Sequence, residues 1–308
     1  MNKIIISLLA ILCLVGCNTK DKITTGNVYN NYDREVAIND VPEKVLTLGP
    51  NCSEIFCELG LEDYIIGNSL DNHSRGPLLQ YKEAYAKIPE LTYSSATREA
   101  VLTSGADFIY GIDWEFGKQA LDVDELTNYG INVYMNKATN FDEVFKEIRD
   151  IAKIFKVESK AEKFINDQEK RINKVKEAVK NRDKVKVLVY DSGSNGIFTC
   201  SGSNYESLLI EQAGGKNIFS DLNEASWITV SNETVLQRQP DVIIVHDYDN
   251  VTVEDKIREI KADPALSKLE CVKNNCFITI TLESVLPGVR MAYSIERLAK
   301  GFYPDAFE

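Results

Sequence analysis

The 308-residue sequence has two histidines, His73 and His246, which argues against metal centres built from three or four imidazoles. It has no apolar run near the roughly 20 residues that a membrane-spanning helix needs. It has no cluster of Lys or Arg, and 35 basic against 47 acidic residues leave a net charge of −12. Such a chain is a poor partner for nucleic acid or an anionic lipid surface. No CxxC pair is present, so a zinc ribbon or thioredoxin-type site has no support. GxGxxG after a strand, GxxxxGK[S/T] and HExxH are also missing, and no Ser or Cys stands at a familiar spacing from a His. The Gly-Ser stretch at 192–196 reads as a turn without the helix opening of a phosphate cradle. These absences argue against an enzyme. What remains, at 44% hydrophobic and 27% charged, is a globular composition.

The amino terminus carries a processing signal. Lys3 precedes an apolar run from Ile4 to Val15, followed by Gly16 and Cys17. A positive start and a short apolar stretch match a secretory signal. Leu14-Val15-Gly16-Cys17 resembles the bacterial lipoprotein box, whose cysteine is acylated and becomes the first residue. Residues 1–16 are then removed, leaving 308 − 16 = 292. Residues 17–40 are expected to be the lipidated cysteine and a polar tether. Five cysteines follow: Cys52, Cys57, Cys200, Cys271 and Cys276. An odd number leaves at least one thiol unpaired or paired between chains. Cys271 and Cys276 flank a short turn where a disulfide is one option.

The chain repeats itself. Glu99–Glu115 aligns with Glu233–Asp249 at a constant shift of 134, with six of 17 positions identical: Glu99/Glu233, Val101/Val235, Leu102/Leu236, Asp107/Asp241, Ile109/Ile243 and Asp113/Asp247. Chance gives about one match. Each copy reads as a short helix, a turn and a buried strand. A second pair of blocks, 53–67 and 205–220, has the same design. We therefore expect two Rossmann-like α/β lobes with mainly parallel sheets, at 41–140 and 184–308. Between them, 141–183 reads as helical: Val144, Phe145, Ile148, Ile151, Ile154 and Phe155 form one apolar face, and Ala161, Phe164, Ile165, Ile172, Val175 and Val179 another. The second helix, about residues 158–181, spans roughly 36 Å as a stiff bridge.

In open α/β sheets, ligands bind outside the carboxyl ends of the strands, so two facing lobes make a cleft there. The strand ends of the first lobe are 49–51, 68–75, 113–116 and 136–139; those of the second are 191–198, 201–205, 226–227, 246–249 and 283–290. Both tryptophans, Trp114 and Trp227, fall in this set, with Tyr190, Phe198, Tyr205 and Tyr248. Such aromatics grip a bulky ligand or pack the rim of the core. The residues expected to touch a ligand are Asn51, Tyr110, Asp113, Trp114, Tyr190, Trp227, His246, Tyr248 and Arg290. Charge in the set is mostly negative: Asp71, Asp113, Glu115, Asp191, Asp247, Asp249 and Glu283 stand against Arg75 and Arg290. That favours a neutral or cationic ligand. His73 and His246, one per lobe, are alternatives for metal or haem ligation or for pH sensing. Glu99 and Glu233 open matching helices. Each favours its own helix dipole, or the two dock into basic pockets of a dimeric partner.

Several phrases carry a resemblance across the mature chain: Ser53-Glu54 with Leu59-Gly60-Leu61-Glu62-Asp63, Lys87-Ile88-Pro89, Phe141-Asp142-Glu143-Val144, Glu211-Gln212-Ala213-Gly214-Gly215-Lys216-Asn217-Ile218-Phe219, and the two copies Glu99 to Asp107 and Glu233 to Asp241. With the lipobox, the doubled lobes and the helical bridge, the sequence resembles the substrate-binding lipoproteins of ABC importers for iron–siderophores, haem and cobalamin. That resemblance implies a monomer without cofactor or resident metal, anchored by Cys17 to the outer face of the cytoplasmic membrane. It implies delivery of a metal chelate to a permease dimer with a cytoplasmic ATPase, with Glu99 and Glu233 meeting permease arginines. One departure is Gly105-Ala106, where such proteins usually place a proline before Asp107. Another is the scarcity of cleft Arg and Lys, which disfavours ferric catecholates. Two histidines disfavour the related zinc and manganese receptors. Within the family an iron chelate of hydroxamate or mixed type is expected, with cobalamin and then haem as alternatives; a lipoprotein enzyme and a surface adhesin are the other classes.

Overall fold

The computed structural model describes residues 27–193 and 196–307, so the signal, Cys17 and the tether up to residue 26 lie outside the described residues. A hairpin of β1 (Asn27–Asn31) and β2 (Arg34–Ile38) precedes β3 (Val45–Leu48), α1 (Pro50–Glu58), β4 (Ile65–Ser69), α2 (Lys82–Tyr85), α3 (Arg98–Thr103), β5 (Phe108–Ile112), α4 (Val123–Asn128) and β6 (Asn132–Asn136). Two helices follow, α5 (Phe141–Ile154) and α6 (Glu158–Val179). The second lobe holds β7 (Val185–Tyr190), β8 (Ile197–Cys200), α7 (Tyr205–Gln212), β9 (Gly215–Asn217), β10 (Trp227–Val230), α8 (Asn232–Arg238), β11 (Val242–Asp247), α9 (Val253–Ala262), α10 (Glu270–Lys273), β12 (Phe277–Thr281) and α11 (Met291–Phe302).

Each lobe is built on a four-stranded, wholly parallel sheet, ordered β4-β3-β5-β6 in the first and β9-β7-β11-β12 in the second. Both read second strand, first, third, fourth, so the doubling seen in the sequence is a doubling of topology. The central strands β3 and β5 are buried along their whole length, as parallel strands covered on both faces must be.

The identities of the repeat are structural in origin. Val101, Val235, Ile109 and Ile243 are all fully buried. The Asp107 carboxylate accepts the backbone N–H groups of Glu43 and Lys44 at 2.9 and 3.0 Å, and Asp241 accepts that of Lys186 at 2.8 Å. Each satisfies the backbone where the neighbouring strand begins. The turn into the strand uses a left-handed residue in both copies, Gly105 at φ +77° and Gln239 at +49°. That residue sets the turn, so the absent proline leaves β5 intact.

Helix α6 buries the six apolar positions expected of it, and Gln168 with them. At 22 residues it spans roughly 33 Å. Its first turn holds the first lobe, where Lys160 Nζ donates to Leu59 O at 2.7 Å. Farther along, Arg171 forms a bidentate pair with Glu296 of α11 at 2.9 and 2.8 Å.

Two features differ from the sequence reading. Residues 27–38, expected within the tether, form the β1–β2 hairpin, with Tyr29, Val36 and Ile38 buried. The Asn31 amide bonds both backbone groups of Met135, donating to its O at 3.0 Å and accepting from its N–H at 2.8 Å. The hairpin thereby shields the exposed edge of β6. Cys271 and Cys276 are free thiols rather than a disulfide. Among the described residues no helix is long and apolar enough to cross a membrane.

Candidate functional site

The strand order reverses between β3 and β5 in one lobe and between β7 and β11 in the other, and the crevices open there. Gly49 starts the exit from β3 at φ +136°, and a Cβ on it would lie 2.6 Å from Ile112 Cδ1, so α1 begins against β5 only with glycine.

The lobes meet along a polar seam. Arg290 is 4% exposed and its guanidinium is surrounded. It pairs with Glu54 through Nε and Nη2 at 2.5 and 2.8 Å, with Glu283 through Nη1 at 3.1 Å, and it donates to Gly76 O at 2.8 Å. Asn51 Nδ2 donates to Pro287 O at 2.7 Å and to Asn136 Oδ1 at 2.8 Å. Arg75 pairs with Asp247 at 2.8 Å, and Asp249 N–H donates to Asn72 O at 3.0 Å. The His73 ring stacks on Tyr248, centroids 5.8 Å apart and 9° from parallel, with Trp114 at 6.3 Å on another side. Burial holds the His73 imidazole below its ordinary pKa, against the charges of Glu115, Asp191 and Asp249.

Beside this seam a cavity of about 340 Å³ opens between the lobes. Asp113, Trp114 and the 136–139 segment line it from the first lobe; Ser203–Tyr205, Ser226, Trp227 and Val285–Pro287 line it from the second. Trp114 follows β5 in a short turn and is 44% exposed. Trp227 begins β10, opposite Cys200, and stacks on Phe198 with centroids 5.4 Å apart. The charged groups of the lining are Asp113 and Lys137. Burial raises the Asp113 pKa, with Lys137 opposing.

Three of the nine residues expected to touch a ligand, Asp113, Trp114 and Trp227, therefore line the inter-lobe cavity. The others do not line it. Asn51 and Arg290 tie the lobes together. Tyr110 is fully buried in the first lobe, its hydroxyl donating to Glu147 at 2.7 Å. Tyr190 and Tyr248 line a second cavity of about 370 Å³ inside the second lobe. Five of the seven counted acids are engaged within the protein. Asp71 accepts from Tyr85, Glu115 from Ser95 and the Ala96 N–H, Asp191 from Tyr248, and Asp247 and Glu283 pair with arginines. The cavity wall is close to neutral.

His246 is also behind the wall. It is fully buried, with Nδ1 2.9 Å from Asp191 Oδ1 and Nε2 3.1 Å from both Glu206 oxygens. Both ring nitrogens are engaged, which leaves none for a metal. Among the described residues no group of three or more His, Cys, Asp or Glu is arranged to hold one. Burial lowers the imidazole pKa, but the Glu206 charge and the Asp191 hydrogen bond outweigh it and push it up to about 9. A folded pKa above the unfolded value stabilises fully below about 6.5, and that stability is lost as pH rises through 9. Denaturant titrations should show the unfolding free energy falling by on the order of 3 kcal/mol across that window. The fall should vanish in His246→Gln, which leaves Asp191 and Glu206 without counter-charge. A flat wild-type profile would exclude the imidazolium.

Tyr205 stands among the cleft aromatics read from the sequence but outside the nine expected contacts, and Lys137 and Leu286 lie in named wall segments without being singled out. Aromatic and aliphatic residues next to named strand ends were the available signal.

Comparison with known proteins agrees with this architecture. Residues 45–283 match the family described as periplasmic binding protein. The chain is 23% identical to the uncharacterized ABC transporter substrate-binding lipoprotein YvrC of Bacillus subtilis, over 98% of this chain and 96% of that one. It is 24% identical to the vitamin B12-binding protein of Pectobacterium carotovorum over 67% and 71%. Among solved structures, a periplasmic binding protein from Veillonella parvula superposes with a TM-score of 0.80 at 26% identity, covering 91% of this chain and 99% of that one. A protein of an ABC-type Fe3+-hydroxamate transport system from Saccharomonospora viridis superposes at 0.77 and 20%, covering 90% and 99%.

Proposed function

The chain belongs to the periplasmic binding protein family, and we propose that it serves an ABC importer as its substrate-binding protein, capturing a bulky, near-neutral iron chelate of hydroxamate type between its lobes. The observation that carries the ligand reading is the lining of the inter-lobe cavity: two tryptophans from opposite lobes, amide and hydroxyl groups, and one acid with one base. Indole faces suit a large ligand, and amides and hydroxyls suit its carbonyl and hydroxamate oxygens. A strongly anionic ferric catecholate would need several cations, and Lys137 alone lines the wall. Haem would need an axial ligand, and His246 is clamped while His73 is stacked at the seam. Cobalamin is the second reading, favoured by relatives that bind vitamin B12. The protein is a receptor rather than a catalyst. It acts as a monomer, held at the outer face of the cytoplasmic membrane through acylated Cys17, and hands the chelate to a permease dimer driven by a cytoplasmic ATPase.

Tryptophan fluorescence tests the reading, because the only two tryptophans of the chain line the cavity. Titration with ferrioxamine B is expected to quench emission saturably, cyanocobalamin being the other candidate. At a hundredfold excess over Kd the ligand raises stability by about 2.7 kcal/mol. Response to a ferric catecholate alone would contradict the neutral-ligand reading.

A further inference from the structure

We infer that the phenolic hydroxyl of Tyr205 is a specificity-determining anchor of the inter-lobe cavity, donating a hydrogen bond to an amide, hydroxamate or carbonyl oxygen of the captured chelate. The inference rests on the receptor reading above and narrows its ligand chemistry.

Tyr205 opens α7, where the Asn204 side chain caps the helix by accepting the Glu206 N–H at 2.9 Å. Its ring lies edge-on to Phe141 of α5, centroids 6.1 Å apart and 79° between planes, so it reaches across from the second lobe to the helix that follows the first. The residue is 5% exposed and lines the cavity beside Asn204 and Trp227. Its hydroxyl is wholly buried and has no hydrogen-bond partner among the described residues. Other tyrosines nearby are satisfied: Tyr110 donates to Glu147 at 2.7 Å, Tyr134 to Asp150 at 2.5 Å and Tyr248 to Asp191 at 2.7 Å.

A buried hydroxyl without a partner is costly, and a phenylalanine would fill the same space without that cost. A group delivered between the lobes supplies the missing acceptor. Burial, and then the charge of Glu147, raises the Tyr205 pKa, so the group stays a neutral phenol and a donor. It therefore reads an acceptor oxygen on the ligand periphery. A site with a dry donor discriminates against ligands that bring no acceptor to it, because the donor is then left unpaired.

The test is Tyr205→Phe in the full mature protein, followed by tryptophan quenching with ferrioxamine B and cyanocobalamin and by thermal denaturation without ligand. The expected result is a split: unchanged or higher thermal stability, with about tenfold weaker binding of whichever chelate the wild type takes. A purely structural role predicts the reverse, lower stability with an unchanged Kd, and that result overturns the assignment. Wild type and variant binding within twofold of each other also overturns it while leaving the receptor reading standing. If the wild type binds neither chelate, the ligand reading falls and the anchor falls with it.

Discussion

Uptake of the chelate is expected to collapse when Glu99→Lys and Glu233→Lys are combined, while its capture by the purified protein is unchanged. Each glutamate is the second residue of a short helix whose cap is a hydroxyl: Thr97 accepts the Ala100 N–H, and Ser231 accepts that of Thr234. Each helix leads into the third strand of its lobe, and both carboxylates are exposed. Among the described residues neither forms an ion pair within the chain, and neither lines the inter-lobe cavity. Two equivalent acids on a pseudo-symmetric body suit two equivalent basic sites on a permease dimer. Facing like charges at both sites costs several kcal/mol, so docking should weaken by on the order of a hundredfold or more, and each single reversal should fall between. Radioiron uptake in cells and fluorescence titration of the purified variants separate the two steps. Retained uptake by the double variant would end the docking assignment, and lost chelate binding would show that the reversal disturbed the site itself.

The second large effect concerns the seam. Arg290→Met should destabilise the protein by about 3–5 kcal/mol, lowering Tm by on the order of 10 °C. The guanidinium is the counter-charge for two carboxylates that are almost wholly buried, Glu54 at 0% and Glu283 at 1% side-chain exposure. Removing it leaves both carboxylates uncompensated in a dry interface, where desolvation is no longer offset. The loss should shrink as pH falls, since protonating the carboxylates removes the stranded charge; the sign follows from carboxyl pKa values raised in the folded variant. Burial already raises the Glu283 pKa in the intact protein, with Arg290 opposing. Replacing Glu54 by leucine in the same variant should recover part of the stability, because an apolar pair in place of a buried ion pair is often neutral. A Tm shift of a degree or two in Arg290→Met would mean that the lobes are not held together by this cluster.

Most of the fold was legible because its determinants are local or periodic. The shift of 134 residues marked the doubling, and Asp107 and Asp241 recur because each caps the backbone of an adjacent strand. The spacing of Ile165, Ile172 and Val179 marked the buried stripe of α6. The hairpin at 27–38 was not legible as such. Its polar residues suit a tether, and only docking on β6 gives Asn31 and Tyr29 their partners.

The site was legible as segments and not as side chains. Arg290, His246 and Tyr110 read as polar groups near strand ends, free to meet a ligand. The sequence carries no mark that Glu54, 236 positions away, converges on Arg290, or that Asp191 and Glu206 close on both nitrogens of one ring. The acid count misled for the same reason, since long-range partners engage most of those carboxylates and three of the seven, Asp191, Asp247 and Glu283, face a cationic side chain. Trp114 and Trp227 reach the cavity wall because one follows β5 and the other begins β10, and the cavity borders both.

The most direct test of capture between the lobes is the ferrioxamine B titration repeated in Trp114→Phe and Trp227→Phe, each of which leaves one reporter on one lobe. A chelate held between the lobes quenches the surviving tryptophan in both variants, with saturation at similar concentrations. Saturable binding that leaves either reporter unchanged would place the chelate outside the shared cavity and contradict the account.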